Sequence, residues 1–229
     1  MRVLIVSDLH LGAPARLPQA DGELSYLLQE PWDQVILLGD VFDLWLRPMR
    51  EILKEHPTVI ASLNSVKCPV IFVPGNHDSV FQGLDKLNKF QIMWPVHRFK
   101  SGDKWVAVAH GDAYDQLRGV KSWLGAWLGK IVDTIAGWIL GPGVSIQRKF
   151  RYSYAERGPG RASYVQPIME KAAADLDGDI VVIGHTHVPI SPEIIDGKVV
   201  VNCGDFGPEH MTYVVVDEGK IELRTLDSE

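Results

Sequence analysis

Five short apolar runs each end in side chains that can bind a cation or carry a proton. Arg2–Ser7 leads into Asp8-Leu9-His10, and Gln34–Leu38 into Gly39-Asp40. Val70–Val73 leads into Pro74-Gly75-Asn76-His77-Asp78, Trp105–Ala109 into His110-Gly111-Asp112, and Ile180–Ile183 into Gly184-His185-Thr186-His187. Asp8, His10, Asp40, Asn76, His110, His185 and His187 make seven N/O ligands, too many for one tetrahedral zinc site. They suit two divalent ions about 3.5–4 Å apart that share a carboxylate. Mixed imidazole and carboxylate ligands favour manganese, with iron or zinc as alternatives, over magnesium or calcium. A single strand-end histidine is usually structural, and Gly39-Asp40 alone could be a turn. The case rests on five such clusters in one chain. His56, His97 and His210 lack that context and read as structural.

The runs themselves lack polar alternation, so they read as strands covered on both faces. Between the early ones, Glu23–Gln29 and Met49–Val66 carry helical patterns, giving the strand–helix–strand alternation of a sheet with crossover helices. In such sheets reactive groups gather at the carboxyl ends of the strands. Within Asp8/His10 and His185/His187, residues two apart on an extended chain point to the same side. After residue 188 the pattern changes to short strands at 190–195, 198–202, 213–217 and 220–224. Asp196-Gly197 and Glu218-Gly219 are placed as hairpin turns. This half reads as a β-meander that forms a second sheet.

The 229 residues suit one domain, 1–229, that removes roughly 70% of its unfolded surface from water. Cys68 and Cys203 are too few for a disulfide framework and read as small core residues. Only four consecutive apolar residues precede Ser7 and Asp8, so the N-terminus reads as neither a signal peptide nor a membrane anchor. A cytoplasmic setting is the expectation. The net charge of −6 is uneven: residues 112–163 hold eight Lys/Arg against four Asp/Glu, hence +4, which leaves −10 elsewhere. An acidic body with one basic insert argues against nucleic acid and for a local anionic partner.

That insert follows neither strand nor crossover pattern and reads as a helical cap over about 112–163. Leu124, Trp127, Leu128, Ile131, Ile135, Trp138 and Ile139 share one helical face, and Gly141-Pro142-Gly143 ends the helix. Lys130 and Asp133 would each cost about 2.5–3.5 kcal/mol in a bilayer centre, so the helix does not span one. Tryptophans such as Trp123 and Trp127, with basic flanks, suit either acyl-chain and membrane-surface contact or an ordinary core helix. Arg148 and Arg151 suit either the phosphates of a substrate or a solvated face.

Asp8-Leu-His10, Gly39-Asp40-Val-Phe-Asp43, Gly75-Asn76-His77-Asp78, His110 and Gly184-His185-Thr-His187 resemble, in order, the motifs of the calcineurin-like metallophosphoesterase superfamily. The resemblance spans about 190 residues. It implies an α/β (α+β) fold, a four-layer αββα sandwich of two mixed β-sheets, here with the helical cap inserted. It implies one metal at Asp8, His10, Asp40 and His187, and a second at Asp40, Asn76, His110 and His185. It also implies that His77, beside Asn76 in the catalytic loop, protonates the leaving oxygen or stabilises the transition state, with Asp43 orienting its imidazole. Asp43 by itself could equally be a carboxylate at a helix N-terminus. The stretches 7–12 and 39–45 and the long insert look like the UDP-2,3-diacylglucosamine diphosphatase group, which cleaves a nucleotide-activated glycolipid to an acylated sugar 1-phosphate (lipid X) and UMP in lipid A biosynthesis. The best-known branch of that group has Arg where this chain has His77. The alternatives are a phosphodiesterase or phosphatase on a soluble phosphoester, and a non-catalytic binding module on the same fold.

Overall fold

Alternate residues of the apolar strands serve two different cores, which is why their sequences show no polar alternation. In β1 (Arg2–Val6), Val3 and Ile5 pack into one cluster while Leu4 and Val6 pack into another. The same parity separates Ile36 and Leu38 from Val35 and Leu37 in β2 (Gln34–Leu38). The computed structural model describes residues 1–13, 16–17, 19–115, 161–207 and 210–226.

The first sheet has seven strands in the order β12-β11-β1-β2-β3-β5-β4. Here β3 is Val70–Val73, β4 Lys86–Leu87, β5 Phe90–Ile92, β11 Thr212–Asp217 and β12 Lys220–Thr225. The second has five, β6-β7-β8-β10-β9, made of Val96–Ser101, Lys104–Ala109, Ile180–Ile183, Lys198–Cys203 and Pro189–Ile195 respectively. Both sheets mix parallel and antiparallel pairs. Between them lie Val3, Ile5, Ile71, Val106, Val182, Val201 and Val214. The outer face of the first sheet is covered by α1 (Ala20–Leu27), α2 (Met49–Glu55) and α3 (Pro57–Ser65). The outer face of the second packs on α4 (Arg161–Asp175) through Val165, Ile168, Met169, Ala172 and Ala173. This is the αββα sandwich of two mixed sheets that the motifs implied.

Local readings fared unevenly. The Met49–Val66 helix is broken in two at His56, because Pro57 opens its own helix and pushes the residue before it out of the helical region. Strands β4 to β6 were not foreseen. The β-meander is corrected. β9 and β10 join the second sheet, with β10 parallel to β8, whereas β11 and β12 return to the first beside β1. Both proposed hairpins exist, with Asp196 at φ 51° and Glu218 at φ 46°, and their following glycines also positive, as a type I′ turn requires.

The sandwich runs through a 3₁₀ turn at Asp112–Tyr114 to Asp115 and resumes with α4 at Arg161. The cap reading, with Trp123, Trp127, Arg148 and Arg151, therefore falls outside the described residues. Among the described residues, no helix is long and apolar enough to cross a membrane.

Candidate metal centre

The loops after β1 and β2 run side by side beyond the last strand pair. Asp8 N–H donates to Gly39 O (3.0 Å), His10 N–H to Asp40 O (2.9 Å) and Leu11 N–H to Val41 O (2.9 Å). This backbone zipper sets Asp8, His10 and Asp40 against one another. The loop after β3 is tied in by His77 N–H donating to Asp40 Oδ1 (2.7 Å). Asp78 clamps it further, accepting from Gly75 N–H with one oxygen and from Val41 N–H with the other, both at 2.7 Å. Burial, then repulsion from Asp40, pushes the Asp78 carboxyl up to about 7, while those N–H bonds pull the other way. From the second sheet, Gly184 N–H donates to His110 O (2.9 Å), and His185 N–H to Asp8 Oδ2 (2.9 Å).

The five strand ends are thus split three and two between the sheets, and they meet beyond the carboxyl ends of interior strands, where the loops of the two sheets bond to one another. The reading of Asp8/His10 and His185/His187 as neighbours on extended chain is corrected. Asp8, His10, Asp40, His185 and His187 all have positive φ, from 45° to 70°. Left-handed backbone at a residue with a side chain costs of order 1–3 kcal/mol and persists only where the surroundings over-determine it. Five such residues aimed at one point mark a place where geometry is held for chemistry rather than for stability.

Asp40 stands at the centre. Its Oδ2 lies 3.4 Å from His110 Nε2 and 3.8 Å from His10 Nε2. On one side, His10 Nε2 is 3.1 Å from His187 Nε2, which is 3.3 Å from Asp8 Oδ1. On the other, Asp40, His110 and His185 offer ligand atoms within 4.8 Å of one another. A third set of that compactness is His10, Asp40 and His77. These contacts crowd ring nitrogens and carboxylate oxygens together. His110 Nδ1 donates to Leu38 O (3.0 Å), so Nε2 is the nitrogen turned toward Asp40. That Nε2, Asp8 Oδ1 and both polar atoms of the Asn76 side chain are buried without a hydrogen bond. Buried polar atoms left this way cost 1–3 kcal/mol each unless something fills them, and a divalent cation on each side of Asp40 would. The residues fit the ions the motifs implied.

His77 Nδ1 donates to Asp43 Oδ1 (2.9 Å), and its Nε2 faces Asp40 Oδ2 at 3.9 Å. Asp43 is no helix cap: it is buried, and its other oxygen lies 3.6 Å from His10 Nδ1. One carboxylate thereby orients His77 by a hydrogen bond and lies beside His10, a proximity not legible in the sequence. Trp45, also unassigned from sequence, stacks on His77 with ring centroids 4.0 Å apart and is 41% exposed. The three histidines set aside earlier lie elsewhere. His56 accepts from Gly12 N–H and meets Asp21, His97 stacks on Phe99, and His210 pairs with Asp205.

The model of the calcineurin-like phosphoesterase family matches residues 1–189. The chain belongs to that family. The family binds divalent metals and points to hydrolysis of phosphoesters, although Vps29-like members can be non-catalytic. Among solved structures, a novel archaeal phosphodiesterase is 16% identical with a TM-score of 0.50, over 99% of this chain and 100% of that one. Vps29 from Chaetomium thermophilum is 15% identical with a TM-score of 0.49, over 95% of this chain and 80% of its own. Vps29 from Entamoeba histolytica, solved with Zn²⁺, is 16% identical with a TM-score of 0.47, over 99% of both. At such identities the likeness bears on the fold alone. No curated protein matches the chain.

Two expectations follow from this packing. A Cβ on Gly75 would sit 2.6 Å from His110 Cδ2 and closer still to Asp40 Oδ1; one on Gly184 would sit 2.6 Å from Asp8 Oδ2 and closer still to Ser7 Oγ. Gly75→Ala should therefore cut Mn²⁺ affinity by about tenfold or more, on the scale of disturbed ligand support, as read by calorimetric titration. Wild-type affinity would mean that the loop yields freely.

The second concerns protons. In metal-free protein, burial opposes charge on His10, but Asp43 and Asp8 outweigh it and push the imidazole up to about 10. His110 is raised as well, Asp40 overriding its burial. A His10 imidazole shifted this far must shed a proton to ligate at neutral pH, and the shift of His110 acts in the same direction. Mn²⁺ affinity should then rise with pH between about 6 and 9, by up to about tenfold per unit for each proton displaced. Titrations in two buffers of different ionisation enthalpy would show the protons leaving; binding without proton release would contradict the assignment.

Proposed function

We propose that the protein is a two-metal hydrolase of phosphoester or phosphoanhydride bonds. The supporting observation is the pair of ligand sets flanking Asp40, with buried, unsatisfied Asp8 Oδ1, Asn76 Oδ1 and His110 Nε2 at the meeting point of the two sheets. Asp8, His10, Asp40 and His187 would hold one ion, and Asp40, Asn76, His110 and His185 the other, manganese being preferred on ligand type. Bound there, two divalent ions neutralise phosphoryl charge and lower the pKa of water. The protein's own groups do the rest. Asp43 holds His77 by Nδ1–H with Nε2 toward the cluster; when both ring nitrogens carry a proton, the one on Nε2 can pass to the departing oxygen, leaving a neutral ring with Nδ1–H still on Asp43. Trp45 covers one face of that ring and limits its rotation.

The substrate we propose is a nucleotide-activated, acylated sugar, UDP-2,3-diacylglucosamine, split by water into the acylated sugar 1-phosphate and UMP. The stretches 7–12 and 39–45 support this reading, as does the composition of the insert between Asp115 and Arg161, whose Trp123 and Trp127 suit acyl chains and whose Arg148 and Arg151 suit phosphates. The same reading puts the protein in the cytoplasm, touching the membrane surface through the insert.

The deciding assay gives Mn²⁺-loaded protein this glycolipid in detergent micelles, UDP-glucose, and bis(p-nitrophenyl) phosphate. UMP release from the glycolipid at a kcat/KM at least about a hundredfold above that for UDP-glucose is expected. Turnover of the soluble diester alone, unaffected by micelles, would overturn the glycolipid assignment and leave a general phosphodiesterase. Two bound ions with no turnover of any of the three would point to a binding module.

A further inference from the structure

The residues assigned to ion binding do not explain how the His185 ring is held, and that is decided by a carboxylate outside the family motifs. Asp115 is only 5% exposed, at the end of the 3₁₀ turn that follows His110. Its Oδ2 lies 3.2 Å from His185 Nε2, seventy residues away, and accepts a hydrogen bond from Tyr164 OH. Neither the His185 nor the Asp115 side chain is more than 1% exposed. A carboxylate so enclosed is costly unless its oxygens meet donors, and beside Tyr164 OH the ring nitrogen Nε2 of His185 faces the same oxygen at hydrogen-bond distance, where it must donate. That fixes the tautomer of His185 with its proton on Nε2, so that a bond to an ion has to come from Nδ1.

The support reaches further. Gly111, at φ 111°, turns the chain out of β7, and Asp115 N–H closes the turn on Asp112 O (3.2 Å). Tyr114 OH donates to Asp175 Oδ2 (2.9 Å) at the end of α4, while Tyr164 stands near its start. One helix thus grips the turn from both ends, and the turn presents His110 at one end and the partner of His185 at the other.

We infer that Asp115 is a positioning residue for the second ion, orienting His185 through Nε2 and itself held by Tyr164. The inference rests on the two-metal reading. Carboxylates placed behind a ligating histidine fix its orientation and raise its basicity, and removing one typically costs 10–100-fold in metal affinity.

The test is calorimetric titration of the full chain with Mn²⁺ alone, with electron paramagnetic resonance of the loaded protein and thermal unfolding of the metal-free protein. Wild type should bind two Mn²⁺ and give a spin-coupled spectrum. Asp115→Ala should weaken one of the two sites by about 10–100-fold, leave the other near wild type, and give a mononuclear spectrum at one equivalent above the tight site. Asp115→Asn, whose amide oxygen can still accept from Nε2, should recover part of that loss, and Tyr164→Phe should lose less than Asp115→Ala. Should wild type bind fewer than two ions, the two-metal reading itself falls. Two ions in wild type and unchanged affinities in all three variants would refute the role of Asp115 alone. So would equal weakening of both sites with a lowered metal-free melting point, since that is the mark of a general structural part.

Discussion

Replacing Asp40 by Asn is expected to leave a folded protein that no longer holds two ions and hydrolyses almost nothing. Asp40 Oδ1 accepts from His77 N–H at 2.7 Å, so the Asn oxygen must take that place to avoid two donors meeting. Its NH₂ group then occupies the position of Oδ2, 3.4 Å from His110 Nε2 and 3.8 Å from His10 Nε2, where a donor cannot ligate. The loss includes a negative charge shared by both ions. In the wild type, burial works against that charge, but the surrounding imidazoles, His110 first, keep the carboxyl below the usual range. The effect should exceed the roughly 100-fold ceiling of outer-shell changes, or more than about 2.7 kcal/mol. Two readouts separate it from misfolding. Circular dichroism should match wild type, while the rise in melting temperature that Mn²⁺ gives by binding only the folded state should disappear. A variant that still takes two ions with wild-type affinity would remove Asp40 from the centre.

His77→Ala should do the opposite: kcat falls by about 10²–10⁴, the usual span for a lost acid–base group, while two Mn²⁺ remain bound. Nδ1 is committed to Asp43, and only Nε2 faces the cluster, so the ring has one nitrogen for the reaction. If that nitrogen protonates the departing oxygen, the loss should shrink when the leaving group needs no proton. The deficit on a p-nitrophenyl ester should then be at least about tenfold smaller than on an alkyl phosphodiester. Equal deficits on both would refute proton donation. Loss of one ion would instead make His77 a ligand, as its closeness to His10 and Asp40 allows. Asp43→Asn tests the same dyad from behind. Because Asp43 also lies 3.6 Å from His10 Nδ1, that variant should lower both kcat and Mn²⁺ affinity.

The sequence by itself determined the site-bearing strands and the kinds of chemistry at their ends, though not β4 to β6. β2, β3 and β8 fall on the apolar runs because residues buried on both faces leave an unbroken hydrophobic record. The ligand types are legible because each strand ends in the group it delivers. The hairpins at Asp196 and Glu218 and the break at Pro57 are local too, although the sequence reading ran its helix through the latter. Tertiary structure alone decided the rest. It sent β9 and β10 to one sheet and β11 and β12 to the other, since a short strand can pair with any open edge. It put five ligands into left-handed backbone, four of them where extended chain was expected, because hydrogen bonds between separate loops outweigh local preference. Asp115 could not be singled out from sequence at all: a carboxylate five residues past His110 looks like any polar loop residue until a histidine from 70 positions on packs against it. Contacts such as His10 with His187, 177 residues apart, leave no trace in either segment, because the partner that gives each its role lies on another strand.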